Sequence, residues 1–287
     1  MIGARHNAAA DGWPQVAIAA GAGGASSPHL ASEPGRTPYS ADFFALQQEG
    51  SVDSAEVIIP LVLSLFTVRS VVDVGCGVGG WLRAFERNGI SDYLGVDGDY
   101  VPTNMLRIPA EKFSARDLTR LVDIGRRFDL ACSLEVAEHL PPSCADSFVA
   151  ALTECAPVIL FSAAIPRQGG TAHVNEQRAS YWAAKFERQG YVAVDCIRPR
   201  IYGNQRVAWW YRQNVIVFCR PERCPVEHAR VRSVYDLDRI DPSMIEHLFV
   251  PESGMEAIQT IRRALPVLGA AVLRKLGLRR AHPPPPA

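Results

Sequence analysis

A chain of 287 residues is long enough for one large α/β domain with a substantial core, together with extensions. Its 30 basic and 30 acidic side chains cancel, so it lacks the positive excess that draws proteins to nucleic acid or anionic lipid, and a polyanionic substrate is disfavoured. The seven cysteines form no CxxC pair and are odd in number, which fits reduced thiols in a cytoplasmic compartment better than a disulfide framework. Cys76, Cys132 and Cys196 lie in apolar runs, where a thiol serves as a small core hydrophobe. No stretch approaches the roughly 18 uninterrupted apolar residues that a membrane span needs. Val16 to Ala20 is too short for an export signal, follows Pro14 and has no basic lead.

In chain order, residues 1–38 are rich in Ala, Gly, Ser and Pro with few large apolar side chains, and are expected to form a disordered leader. Residues 39–221 alternate apolar strands with amphipathic helices, the pattern of a largely parallel sheet covered on both faces. The predicted elements begin with a helix at Ser54 to Phe66 and a strand at Ser70 to Val74. A helix over Gly79 to Asn88, closed by Gly89, and strands at Tyr93 to Val96 and Phe113 to Ala115 follow. The next strand is Asp129 to Leu134, then a helix at Ser143 to Cys155 and a strand at Val158 to Ala164. A helix at Ser180 to Gln189 and strands at Tyr191 to Ile197 and Asn214 to Cys219 complete the domain.

Residues 222–287 are read as a helical extension with a Pro-rich tail. Ile258 to Arg280 carries Arg262, Arg263, Arg274, Lys275, Arg279 and Arg280 at helical spacing, interrupted at Pro266. Such a helix would dock on its own domain or make a homodimer contact. The run Pro283 to Pro286 joins neither helix nor sheet. No internal repeat is visible.

Gly75, Gly77 and Gly80 satisfy the GxGxxG spacing of dinucleotide-binding turns. Asp73, two positions ahead, argues against a dinucleotide, because its carboxylate would repel a pyrophosphate while suiting a cationic ligand. Glycines here would let the backbone close over the ligand at the strand-to-helix turn. Asp97 ends the second strand about 20 residues on, where a carboxylate accepts hydrogen bonds from ribose hydroxyls, and Gly98 turns the chain after it. Asp117 and Leu118, after the third strand, suit an adenine amino group and ring; Asp117 also reads as a helix cap.

The segment Phe128 to Pro141 contains Glu135-Val136-Ala137-Glu138-His139-Leu140 at the end of the fourth strand. With the glycine segment Val71 to Gly80 it resembles class I S-adenosylmethionine-dependent methyltransferases, over about residues 39–220. The resemblance implies a three-layer Rossmann-like fold with a seven-stranded sheet, mostly parallel with the last strand antiparallel, and S-adenosylmethionine across the carboxyl ends of the strands. It implies cofactor contacts at Asp73, Gly75, Cys76, Gly77, Gly79, Asp97, Gly98, Asp117, Leu118, Ser133 and Leu134, with Ser133 and Glu135 forming the floor near the methyl group.

Methyl transfer to a hydroxyl needs a base, and His139 is the first candidate because an imidazole with an ordinary pKa of about 6.5 takes a proton at neutral pH. Glu135 and His173 complete the expected catalytic set. The same residues also suggest a secondary expectation, a divalent metal held by Glu135, Glu138, His139 and His173. That set is similar to the one in small-RNA terminal 2′-O-methyltransferases, although the spacing here is shorter and the basic excess of an RNA binder is missing. Two stretches are expected on the acceptor side: Ile165 to Gln177, with His173, Asn175 and Glu176, and Arg198 to Arg212, with Trp209, Trp210 and Tyr211. The expected activity is methylation of a small-molecule acceptor, a hydroxyl of a sugar or glycosylated metabolite. The alternatives are a metal-dependent RNA 2′-O-methyltransferase and a non-catalytic partner protein that binds S-adenosylmethionine.

Overall fold

The computed structural model describes residues 41–120, 124–225, 231 and 233–244, excluding the side chains of 41–49, 234 and 235. The expected leader and the basic helix at 258–280 lie outside the described residues. Among these residues no helix is long and apolar enough to cross a membrane.

Seven strands form one sheet in the order β3-β2-β1-β4-β5-β7-β6. They are β1 (Ser70–Val74), β2 (Asp92–Asp97), β3 (Phe113–Ala115), β4 (Leu130–Leu134), β5 (Val158–Ser162), β6 (Val192–Val194) and β7 (Ile216–Cys219). Only β7 runs against its neighbours, pairing antiparallel with both β5 and β6. The central strands are buried on both faces, which is why their sequences read as nearly continuous apolar runs rather than alternating ones.

Side-chain alternation sorts these runs into two cores. Val71, Leu130, Cys132, Leu160 and Val217 face α1 (Ala41–Leu65) and α2 (Gly80–Arg87), meeting Ile58, Ile59, Val62, Leu82 and Phe85. On the other side Val72, Ala131, Ile159 and Phe218 meet Phe148 and Leu152 of α3 (Ala145–Cys155) and Trp182 and Phe186 of α4 (Ala179–Arg188). Phe186 stacks on Phe218 with ring centroids 4.0 Å apart.

Three expectations are corrected. Helix α1 begins at Ala41 rather than at Ser54. Gly50 and Ser51 look like turn residues in isolation, but Gly50 lies against Trp210 and Ser51 meets Trp81 and Tyr211, so tertiary contacts outweigh local propensity. The link between β6 and β7 is not a loop, since it contains α5 (Arg198–Ile201) and α6 (Trp209–Asn214). Residues 233–244, expected to belong to an extension, pack into the domain: Leu237 is fully buried in the second core, and Ser180 donates to Asp238 from both its N–H and its hydroxyl. Arg198 donates to the Leu237 carbonyl and Arg212 to Ser243, so buried guanidiniums pin this segment to α5 and α6.

Candidate active site

The turn from β1 to α2 carries three glycines in the left-handed region, Gly75 at φ 90°, Gly77 at 52° and Gly79 at 86°. Gly75 and Cys76 both donate their N–H to the Val96 carbonyl, fastening the turn to the end of β2. A Cβ on Gly75 would lie 2.3 Å from a Val136 methyl, and one on Gly79 would lie 2.9 Å from Ile108. Two of the glycines are therefore already required by the protein's own side chains. Gly79 caps α2 and does not line the cleft described next.

Along the carboxyl ends of β1, β2 and β4 and beside β3 runs a cleft of about 630 Å³. Asp73, Gly75, Cys76, Gly77, Asp97, Gly98, Asp117, Leu118, Leu134, Glu135 and His139 line it, as anticipated. Ser133 does not, and its fully buried hydroxyl has no hydrogen-bond partner. The period of two along β4 separates it from the side taken by Leu134.

The three aspartates differ in environment. Asp73 is buried, and desolvation followed by the charge of Asp97 raises its pKa from 3.8 to about 8. Asp97 accepts from Gly77 N–H at 2.7 Å with one oxygen, and from Gly98 N–H at 2.7 Å and the Tyr100 hydroxyl at 2.6 Å with the other. Burial still pushes its pKa up, against those three bonds. Asp117 is half exposed; it accepts from the Thr119 N–H and hydroxyl and pairs with Arg120, and these contacts lower its pKa. Leu118 beside it is buried in the second core.

At the end of β4 the chain turns sharply. Glu135 adopts φ 57°, a conformation that costs a non-glycine residue roughly 1–3 kcal/mol. Its N–H bonds to the Ser162 carbonyl and hydroxyl. Its carboxylate accepts from the Gln168 amide at 2.8 Å and the Asn214 amide at 3.1 Å, and Asn214 also donates to Gln168 at 2.8 Å. A triangle of side chains from β4, the loop after β5 and α6 thus fixes this one carboxyl. Burial raises its pKa despite the donors.

Glu138 and His173, expected beside Glu135, lie outside the cleft lining. Together with His139 they form a group whose ligating atoms are within 4.8 Å of one another, and the Glu138 carboxyl lies beside that of Glu135. Glu138 is fully buried, both its oxygens lack a hydrogen-bond partner, and burial together with the Glu135 charge raises its pKa well above the usual range. The His139 and His173 rings meet edge to face at 4.9 Å, and His173 Nδ1 lies 3.0 Å from Glu176. Desolvation, then His173, lowers the His139 pKa to about 4, which makes it a much weaker base than an ordinary imidazole. The loop residues Asn175 and Glu176, expected to meet an acceptor, also turn away from the cleft: Asn175 donates to the Ala137 carbonyl, and Glu176 accepts from Arg167 and Gly169 N–H.

Residues the sequence did not single out also line the cleft. Trp81 donates from its indole N–H to Ser51 at 2.9 Å, the Ser51 and Tyr211 hydroxyls are 3.2 Å apart, and the Trp81 and Tyr211 rings meet edge to face at 5.2 Å. Tyr211 fell within an expected acceptor stretch, but nothing local indicated Ser51 or Trp81. Trp210, also expected there, packs instead against the first core.

Comparison with known proteins places this geometry. Residues 53–157 match the sequence model of a methyltransferase domain. No curated protein is significantly similar. Among solved structures, the sugar N-methyltransferase KedS8 from a Streptoalloteichus species is 15% identical over 69% of this chain and 99% of that one, with a TM-score of 0.51. DesVI from Streptomyces venezuelae is 17% identical over 62% of this chain and 96% of that one, with a TM-score of 0.45. The magnesium protoporphyrin IX methyltransferase from Synechocystis, solved with bound S-adenosylmethionine, is 19% identical over 61% and 80%, with a TM-score of 0.44. The likeness to KedS8 shows a shared fold.

Proposed function

Because the chain carries a class I, S-adenosylmethionine-dependent methyltransferase domain, we propose that it methylates a small-molecule acceptor in the cleft between the glycine turn and Glu135. The observation that carries this reading is the alignment of Asp73, Asp97 and Asp117 along one wall of a single cleft. A carboxylate at Asp73 suits the donor's ammonium group, the one acceptor site that Asp97 keeps after its three donors suits a ribose hydroxyl, and Asp117 with Leu118 suits the adenine. When bound, the donor supplies a methyl group on an activated sulfonium. What remains for the protein is alignment and exclusion of water, effects together worth roughly 7–11 kcal/mol when the geometry is good. Trp81 and Tyr211, which line the cleft, would exclude water, and Glu135 would orient the acceptor.

Calorimetric titration of the purified chain with S-adenosylhomocysteine tests this, with NAD and an Asp73→Ala variant alongside. Saturable binding that the variant loses, with no NAD signal, is the expected result. Binding of NAD alone would return the glycine turn to the dinucleotide reading.

A second reading concerns metal. The orphaned, buried carboxyl of Glu138 beside two imidazoles fits a divalent cation, with Glu176 behind His173 fixing that ring. Glu138, His139 and His173 would hold the ion, which would supply a fixed positive charge. Only His139 of the three borders the cleft, so the arrangement favours a clamp between the loop after β5 and the turn at Ala137–His139. Glu135, expected as a fourth ligand, is bonded to Gln168 and Asn214 instead. Equilibrium dialysis with Mn²⁺ and Mg²⁺ checks this: stoichiometric binding lost in Glu138→Gln supports the clamp, and no binding removes it.

A further inference from the structure

Asp97 is the acid assigned to the donor's ribose by the function proposed above, on which this inference rests. An ionised carboxyl offers about four acceptor sites, two on each oxygen. On Asp97 three of them are taken within the chain. Oδ2 accepts from the Gly77 N–H at 2.7 Å, and Oδ1 accepts from the Gly98 N–H at 2.7 Å and the Tyr100 hydroxyl at 2.6 Å. Oδ1 is therefore full, and Oδ2 keeps one site. A proton on the carboxyl would remove a site, not add one, so the count is an upper bound.

Packing holds the Tyr100 hydroxyl there as well as its bond does. A Cβ on Gly98 would lie 2.1 Å from a carbon of the Tyr100 ring, so the ring occupies the space that the glycine leaves. The φ of Gly98 is not positive, so this position requires a glycine for room and not for dihedral freedom. The Val101 N–H closes a turn on the Gly98 carbonyl at 3.3 Å, and the Val101 side chain is buried with Val78. Both Gly98 and Tyr100 line the cleft beside Asp97.

A ribose carries two neighbouring hydroxyls, and one carboxyl can accept from both when each of its oxygens has a site to spare. That condition fails at Asp97. We infer that Asp97 takes only one of the donor's two ribose hydroxyls, because the Tyr100 hydroxyl stands in the place of the other, and that Tyr100 thereby sets how much of the ribose the cleft reads. The consequence is a tolerance. A donor lacking the hydroxyl that Tyr100 replaces still binds, since neither the ligand nor the carboxyl loses a bond, whereas loss of the other hydroxyl leaves a site on Oδ2 unmet.

The test is calorimetry on the full chain with S-adenosylhomocysteine and its 2′-deoxy and 3′-deoxy analogues. The unmodified chain is expected to bind one analogue about tenfold or more weaker than S-adenosylhomocysteine, and the other within about twofold of it. Tyr100→Phe keeps the ring and frees the second site on Oδ1, so the analogue tolerated before should now bind about fivefold or more weaker than S-adenosylhomocysteine. Gly98→Ala reaches the same end by another route, because its Cβ drives the ring aside while the tyrosine stays in the chain, and the same loss of tolerance is expected. Equal weakening of both analogues on the unmodified chain means that Asp97 takes both hydroxyls, and overturns the inference without reference to any variant. So does equal affinity for all three ligands. Tolerance that survives Tyr100→Phe overturns it as well, by removing Tyr100 as the cause. If S-adenosylhomocysteine itself does not bind, the donor reading falls and this inference with it; if it binds but the two analogues behave alike, this inference falls alone.

Discussion

The two ends of the cleft are built in different ways. The end proposed for the donor is local: Asp73, the glycine turn, Asp97 and Asp117 follow one another within the β1 to β3 half of the domain, each at the carboxyl end of a strand or just beyond it. The end proposed for the acceptor is assembled from far apart, with Ser51 from α1, Trp81 from α2, Glu135 from the end of β4 and Tyr211 from α6, and with Gln168 and Asn214 behind Glu135. A local site stands on a few backbone conformations and can fail at one residue. A distributed site stands on cross-links between elements, so its losses should be partial.

The sharpest way to break the local end is Gly75→Ala. It combines a strained φ of 90° with a Cβ 2.3 Å from Val136, and should cost about 2–4 kcal/mol in chemical denaturation. Pairing it with Val136→Ala should recover part of that loss by relieving the collision but not the dihedral strain. Full additivity of the two would show that Val136 is not the obstacle.

Next in size is Asp73→Asn, expected to weaken S-adenosylhomocysteine binding about 10–100-fold by calorimetry. It also carries a pH signature. With its folded pKa raised from 3.8 to about 8, Asp73 binds its proton more tightly in the folded chain, so its contribution to stability is complete below pH 3.8 and is lost as pH rises toward 8. The unliganded wild type should therefore lose stability over that interval more steeply than Asp73→Asn. Ligand affinity should move the other way, rising with pH through about 8 as the carboxylate forms. Parallel stability curves for the two proteins would show that Asp73 titrates normally.

At the distributed end, Asn214→Ala removes one of the two amides that hold Glu135. A rise of about 3–10-fold in acceptor KM, with S-adenosylhomocysteine affinity unchanged and roughly 1 kcal/mol lost in stability, is expected from steady-state kinetics and urea melts. An equal loss of donor affinity would mean that the two ends are not separate. Smallest of all should be Asp117→Ala, whose carboxyl is 54% exposed and already engaged by Thr119 and Arg120; donor affinity should change by no more than about twofold.

The same contrast explains what was legible beforehand. Strands β1 (Ser70–Val74) and β3 (Phe113–Ala115) were placed to the residue, β1 because its apolar run Val71 to Val74 stops at Gly75. Glu138, His139 and His173 were grouped correctly as possible ligands, but Glu135 was grouped with them because it lies three positions from Glu138. The positive φ at Glu135 sends its side chain to Gln168 and Asn214, and spacing along the chain carries no trace of that turn. Ser133 was assigned to the cleft floor by the family resemblance, although strand alternation puts it on the other side from Leu134.

The sequence by itself determined the alternation of strands and helices, the left-handed glycine turn and the acids at the strand ends, since each depends on neighbours a few residues away and on backbone sterics. Tertiary structure alone decided that α1 reaches back through Gly50 and Ser51, that residues 233–244 belong to the domain, that Trp81 and Tyr211 meet over Ser51, and that Gln168 and Asn214 hold Glu135. Those contacts join residues up to 160 positions apart, and they form only once the sheet has brought its crossover segments to one edge.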